Sequence, residues 1–161
     1  MSQEINKKDQ NKLVVEDLLL QTDVGYKEKE DVYTLNMHLE GVKYPSSKMQ
    51  ILCLDEKVEF SIFPNTPVIP LEKIEDIAYY FSLINPGLFL GQFQLKDKAE
   101  GEMVPECCVM CDTFDGKPSD ARIQQIFNQL CDDYKKFING VLLIQYDIMT
   151  PTQAAEALKK G

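Results

Sequence analysis

The sequence predicts an α+β fold: an antiparallel sheet of about five strands, with the helices set apart from it, in the order α-β-β-β-α-β-β-α-α. Three observations carry this prediction. Apolar residues alternate at a period of two over residues 32–40 and 49–63. They recur at helical spacing over residues 71–84 and 119–144. Turn, stop or capping residues separate these stretches.

Leu13, Val14, Val15, Leu18, Leu19 and Leu20 surround Glu16 and Asp17, which predicts a first helix closing between Thr22 and Gly25. Residues 27–31 are charged and read as a loop. In the first strand, Tyr33, Leu35, Met37 and Leu39 face one side, and Thr34, Asn36 and His38 the other. A hairpin follows around Asp55-Glu56, with Met49, Ile51 and Cys53 on one face of its first arm and Val58, Phe60 and Ile62 on one face of its second. The next helix runs over 71–84 with Ile74, Ile77, Ala78, Phe81 and Ile84 as its buried stripe, and Asn85-Pro86-Gly87 stops it. Strand four spans 88–96. In strand five, Pro105 implies a late start or an edge position. Ser119 caps a long helix whose stripe runs from Ile123 to Ile144. About 26 residues at 1.5 Å each give roughly 39 Å, enough to cross the sheet. Gly140 is a weak point within it by helix propensity. Thr150-Pro151-Thr152-Gln153 has the form of a capping box opening a last short helix.

A chain of 161 residues suits one domain, expected over 12–161, with residues 1–11 polar and disordered. At 44% hydrophobic residues the chain has material for a core. Lysine and arginine total 17 against 26 acids, a net charge of -9. That balance repels phosphate backbones and anionic membranes, so neither nucleic acid nor membrane is expected as a partner. The first residues lack the apolar core of a signal peptide. No apolar run nears the ~18 residues that span a bilayer. The expected compartment is the cytoplasm. Five cysteines, an odd number without framework spacing, agree with reduced thiols.

Candidate chemistry is sparse. Cys108 and Cys111 form a C-x-x-C, but on a strand residues three apart face opposite sides, and buried thiols are the plainer reading. His38, the single histidine, stands beside Asn36 and Glu40 on a polar strand face, with no nucleophile or orienting acid in reach by pattern. Asp132-Asp133 and Glu75-Asp76 diverge by about 100° on their helices, make poor chelates, and read as wet faces. Tyr79-Tyr80-Phe81 places Phe81 in the core with the tyrosines at its rim. No glycine-rich phosphate loop or nucleophile elbow occurs. The expectation is a protein that is not an enzyme and that needs no metal or cofactor.

Four short words carry a family resemblance: Val68-Ile69-Pro70 leading into a helix; Leu83-Ile84-Asn85 followed by Gly91-Gln92-Phe93; Asp133-Tyr134 in the long helix; and Thr150-Pro151-Thr152-Gln153-Ala154-Ala155. In this order and spacing the chain resembles the YbjN family, whose members adopt the fold of type III secretion chaperones. The match extends over residues 12–158 and departs at 102–108, where Pro105 interrupts a strand the family keeps regular. The resemblance implies a small, non-enzymatic, often dimeric interaction domain, with no catalytic residues to carry over.

One surface stands out. The second strand faces carry Leu52, Leu54, Leu88, Leu90, Cys108 and Met110. Unless helices cover them, they make an apolar surface of the kind that marks partner sites. Leu52, Leu54, Leu88, Leu90 and Met110 are therefore the candidate surface for a protein client or a second copy, with acidic rim residues tuning partner choice. The alternative is a small-molecule sensor with a pocket between sheet and long helix.

Overall fold

The computed structural model describes residues 6–160. Helix α1 (Lys7–Thr22) leads into strands β1 (Tyr26–Lys29), β2 (Val32–Met37), β3 (Ser47–Cys53) and β4 (Lys57–Pro64). A 3-10 turn (Leu71–Lys73) opens α2 (Ile74–Ile84), and a second (Asn85–Gly87) closes it. Strands β5 (Gln92–Ala99) and β6 (Glu102–Asp112) then precede α3 (Asp120–Phe137), α4 (Asn139–Gln145) and α5 (Pro151–Lys159). The strands form one six-stranded sheet in the order β1-β2-β3-β4-β6-β5. Every pairing is antiparallel.

Alternation puts the core on one face of the sheet. Tyr33, Leu35, Met49, Ile51, Val58, Phe60, Ile62, Phe93, Cys107 and Cys111 are buried there. Helices α1, α2 and α3 contact the strands, and α4 and α5 pack against α2. The layers meet through a run of stacked rings, Phe81 on Phe93 at 5.5 Å between centroids and Phe93 on Tyr134 at 6.5 Å. Each such ring contributes about 2–3 kcal/mol by leaving water. The buried tyrosines in and beside this run are hydrogen-bonded: the Tyr80 hydroxyl donates to the Phe137 carbonyl at 2.6 Å, and Ser47 Oγ and the Tyr134 hydroxyl share a bond of 2.7 Å.

The α+β class holds, with six strands where five were predicted. Residues 27–31, read as a loop, belong largely to β1, whose residues are all exposed. A charged edge strand has no apolar alternation to betray it, and its lysines discourage edge-to-edge pairing. Residues 7–11, expected to be disordered, form the first turns of α1, where the Asn6 side chain accepts the Asp9 amide at 2.8 Å. Residues 1–5 of that expectation lie outside the described residues.

Strand β5 begins at Gln92, not at residue 88. Strand β6 begins early, at Glu102, and runs through Pro105. Pairing with β4 ends at Ile62 and Cys107 and a bridge to Ile69 forms only at Met103, so Pro105, opposite Leu95 of β5, lies in a gap on its other side. A proline is tolerated there because the ladder on the other side has stopped.

Two details of α2 also differ: Ala78 is exposed, and Tyr80 is fully buried beside Phe81. The predicted long helix is two, α3 and α4, joined at Ile138. The bonding changes register at the join, from Ile138 N–H on the Tyr134 carbonyl to Val141 N–H on the Ile138 carbonyl. Asn139 ties the join to the loop after β2, accepting from the Lys43 amide at 2.8 Å and donating to the Gly41 carbonyl at 2.7 Å.

Candidate functional site

The face of the sheet opposite the core is built from cross-strand rows, since directly paired residues point the same way. One row runs Lys29, Val32, Leu52, Glu59, Met110. The next runs Lys27, Thr34, Gln50, Ser61, Cys108, Gln92. Asn36 pairs with Lys48 and Lys48 with Phe63, and Glu106 pairs with Gln94. A cleft of about 620 Å³ lies over these rows, lined in part by Leu52, Leu90 and Met110 together with Gln50, Ser61 and Gln94.

Three of the candidate residues thus come together. Leu90 is 44% exposed and Met110 58% exposed; Leu52 is half-buried in the cleft wall, on β3. Leu54 and Leu88 are not part of the lining. Leu54 follows the end of β3, where its carbonyl accepts from Asn11 Nδ2 at 2.8 Å. Leu88 packs against the core. The face is mixed in character, its leucines and methionine set among glutamines, serine and ion pairs. Lys57 bridges Glu59 at 2.9 Å, and Lys96 bridges Glu106 at 3.3 Å while lying over the Phe63 ring at 5.0 Å.

Leu90 owes its position to Asp133. The carboxylate of Asp133, only 6% exposed on α3, accepts the backbone amides of Phe89 at 3.2 Å, Leu90 at 3.3 Å and Gly91 at 3.0 Å. The segment turns its amides inward and its side chains outward. Gly91 fits because a Cβ there would stand 2.7 Å from Cys107 Sγ. Immediately downstream, the Asn85 side chain accepts from the Phe93 amide at 2.8 Å and donates to the Phe93 carbonyl at 3.1 Å, acting as a one-residue strand partner. Asp133 was read from the sequence as a wet helix face; it is a buried anchor, while Asp132, Glu75 and Asp76 are exposed. The spacing of acids on one helix holds no sign of the loop that packs against it.

The pocket expected between sheet and long helix is filled by Leu130, Tyr134 and Phe137 packed with Phe93 in one core cluster. The cleft lies on the far face instead. Cys108 and Cys111 point to opposite sides, Cys108 into the cleft and Cys111 into the core. Burial pushes the Cys108 thiol up to about 11, with Glu106 and Glu59 adding in the same direction. The thiolate is therefore scarce near neutral pH and grows only as pH nears that value. Alkylation of Cys108 by iodoacetamide is expected to be slow at pH 8 and to accelerate steeply above pH 10, followed by peptide mass mapping; rapid labelling at pH 7 would contradict this. His38 is exposed just past the end of β2. Among the described residues, no three histidine, cysteine, aspartate or glutamate side chains group to hold a metal. No described helix is long and apolar enough to cross a membrane.

These elements define a two-layer α+β architecture with helices on one sheet face and a cleft on the other. Among solved structures the chain is similar to YbjN from E. coli, a candidate transcription regulator, matched with a TM-score of 0.60 over 75% of this chain and 83% of that one. Identity is 14%, so the likeness is one of fold. No protein-family model and no curated protein sequence matches this chain. The second and third of the words that carried the resemblance meet in space, and the fourth caps its own helix. Asn85 holds Phe93, Asp133 holds Gly91, Phe93 stacks on Tyr134, and Thr150 with Gln153 closes a capping box on α5.

Proposed function

We propose that the protein is a cytoplasmic, non-catalytic interaction module that binds a partner polypeptide, or a second copy as a homodimer, across the open face of its sheet. The observation behind this reading is the cleft itself, where Leu90 and Met110 remain exposed and Leu52 half-buried although the opposite face of the sheet is packed into the core. An apolar strip rimmed by polar groups is the usual anatomy of a polypeptide-binding surface. Methionine and leucine adapt to varied side chains.

The test is a Leu90→Glu, Met110→Glu double variant. Both side chains are exposed, so its melting temperature should stay within a few degrees of the parent. Self-association, read by light scattering and sedimentation, or retention of partners in affinity capture from the native host, should fall about tenfold or more. Unfolding of the variant would place both residues in the core. Unchanged association with an intact fold would remove the open face from the reading. The cleft volume supports a second reading, a small-molecule regulatory site, since it lies in the ligand range and gathers Gln50, Ser61, Gln92 and Gln94. A compound that raises the parent's melting temperature, but not that of a Gln50→Ala, Gln94→Ala variant, would favour it.

A further inference from the structure

We infer that the open face takes an acidic partner segment carrying apolar side chains, a refinement that rests on the polypeptide-binding reading above. The charge of the chain is not spread evenly. Against a net charge of -9, the rows of the open face place Lys27, Lys29 and Lys48 over β1 and β3. None of the three is within ion-pair distance of a carboxylate among the described residues.

The carboxylates on the same face near the cleft are already engaged, Glu59 by Lys57 and Glu106 by Lys96. Asp112 lies at the far end of β6, its Oδ1 taking the Phe114 amide at 2.7 Å. The acid surplus therefore belongs to the helical side and the loops, and the half of the face over β1 to β3 is cationic. The three lysines flank the cleft on its β1 to β3 side, while the charged residues of its own lining are Glu59, Lys96 and Glu106. Val32 and Leu52 stand in the same row as Lys29, so a cationic contact at β1 adjoins apolar contacts on β2 and β3. Carboxylates of a partner would meet the lysines while its leucine-like side chains cover Val32, Leu52 and Met110.

A nucleic acid fits this surface less well. The ring among these strand positions, Phe63, is 7% exposed and lies beneath Lys96, so the strands themselves offer no row of rings on which successive bases could stack.

The experiment measures fluorescence anisotropy of labelled synthetic peptides of equal length with the full chain. One is rich in Glu and Leu, one in Lys and Leu, one in Ser and Leu, and a single-stranded oligothymidylate is run beside them. The Glu–Leu peptide should bind at least about tenfold more tightly than the other two peptides at low salt, and weaken as salt rises. A Lys27→Glu, Lys29→Glu, Lys48→Glu variant should lose that advantage while keeping its melting temperature, since all three side chains lie on the solvent side. Equal binding of the Ser–Leu peptide overturns the charge preference and leaves polypeptide binding standing. Tighter binding of the Lys–Leu peptide also overturns it. Binding of the oligothymidylate as tight as the Glu–Leu peptide, lost in the same variant, makes the surface a phosphate site and sinks the proposal. Failure of all three peptides overturns both the proposal and the reading beneath it.

Discussion

Replacing Gly140 by alanine is expected to destabilise the protein by about 1–3 kcal/mol, the usual range for overpacking a filled core. Helix propensity alone argues the other way, favouring alanine by roughly 1 kcal/mol at an interior position. The structure decides between them. A Cβ on Gly140 would stand 2.5 Å from Tyr80 Cζ and 2.9 Å from Leu158 Cδ1. Tyr80 cannot withdraw without loss, because its ring is fully buried and its hydroxyl donates to the Phe137 carbonyl at 2.6 Å. That bond lies at the end of α3, one residue before the join to α4. The alanine variant must therefore push apart α2, α4 and α5 or break the Tyr80 bond. Urea unfolding monitored by circular dichroism measures the change. In a Tyr80→Phe background the same alanine should be less harmful, because the nearest atom is gone, and the coupling is read from the double-mutant cycle. An alanine variant that melts higher than the parent would show that the three helices yield easily and that propensity rules here.

The sequence's periodicities located the layers well and the connections poorly. Residues that alternate beneath helices were legible: Met49, Ile51 and Cys53 opposite Ile62, Phe60 and Val58 form one core face as their spacing implies. Local chemistry was legible too. Ser119 accepts the Arg122 amide at the start of α3, and Thr150 with Gln153 forms both halves of its capping box. What failed were features decided by distant contact. Strand β1 exists because β2 offers it a ladder, not because Tyr26–Lys29 has any apolar period. At the break by Ile138, Tyr80 reaches across from α2 to the Phe137 carbonyl and Asn139 bonds the loop after β2. The candidate surface divided along the same line. Leu52 and Met110 lie on strands and follow the alternation, whereas Leu54, Leu88 and Leu90 sit outside strands, and of these Leu90 reaches the cleft only because Asp133 holds its backbone. The cationic end of the face was hidden because Lys27 and Lys29 lie on the strand that was not predicted.

Removing the Asp133 carboxylate is expected to loosen the segment that displays Leu90 before it threatens the whole fold. In an Asp133→Ala variant the amides of Phe89, Leu90 and Gly91 lose their acceptor, and the space beside Cys107 and Leu130 gives water little room. Hydrogen bonds to a charged acceptor contribute about 1.5–3 kcal/mol each and do not add fully when shared, so a total near 3 kcal/mol is expected. An Asp133→Asn variant keeps one acceptor oxygen but turns an amide donor toward backbone N–H groups, and should fall between the parent and alanine. Hydrogen exchange separates local from global effects. Amides 89–91 should exchange far faster in Asp133→Ala, while those of β3 and β4 change only by the global loss. The consequence reaches the open face, because Phe89, 79% exposed, and Leu90 hang from this clamp. A segment free to move must be ordered when a partner binds, and that ordering weakens association. Asp133→Ala should therefore reduce partner retention or self-association although Asp133 itself lies on α3, behind the face. Equal protection of amides 89–91 in parent and variant would show that the turn holds itself, and would leave the carboxylate without the anchoring role its three bonds imply.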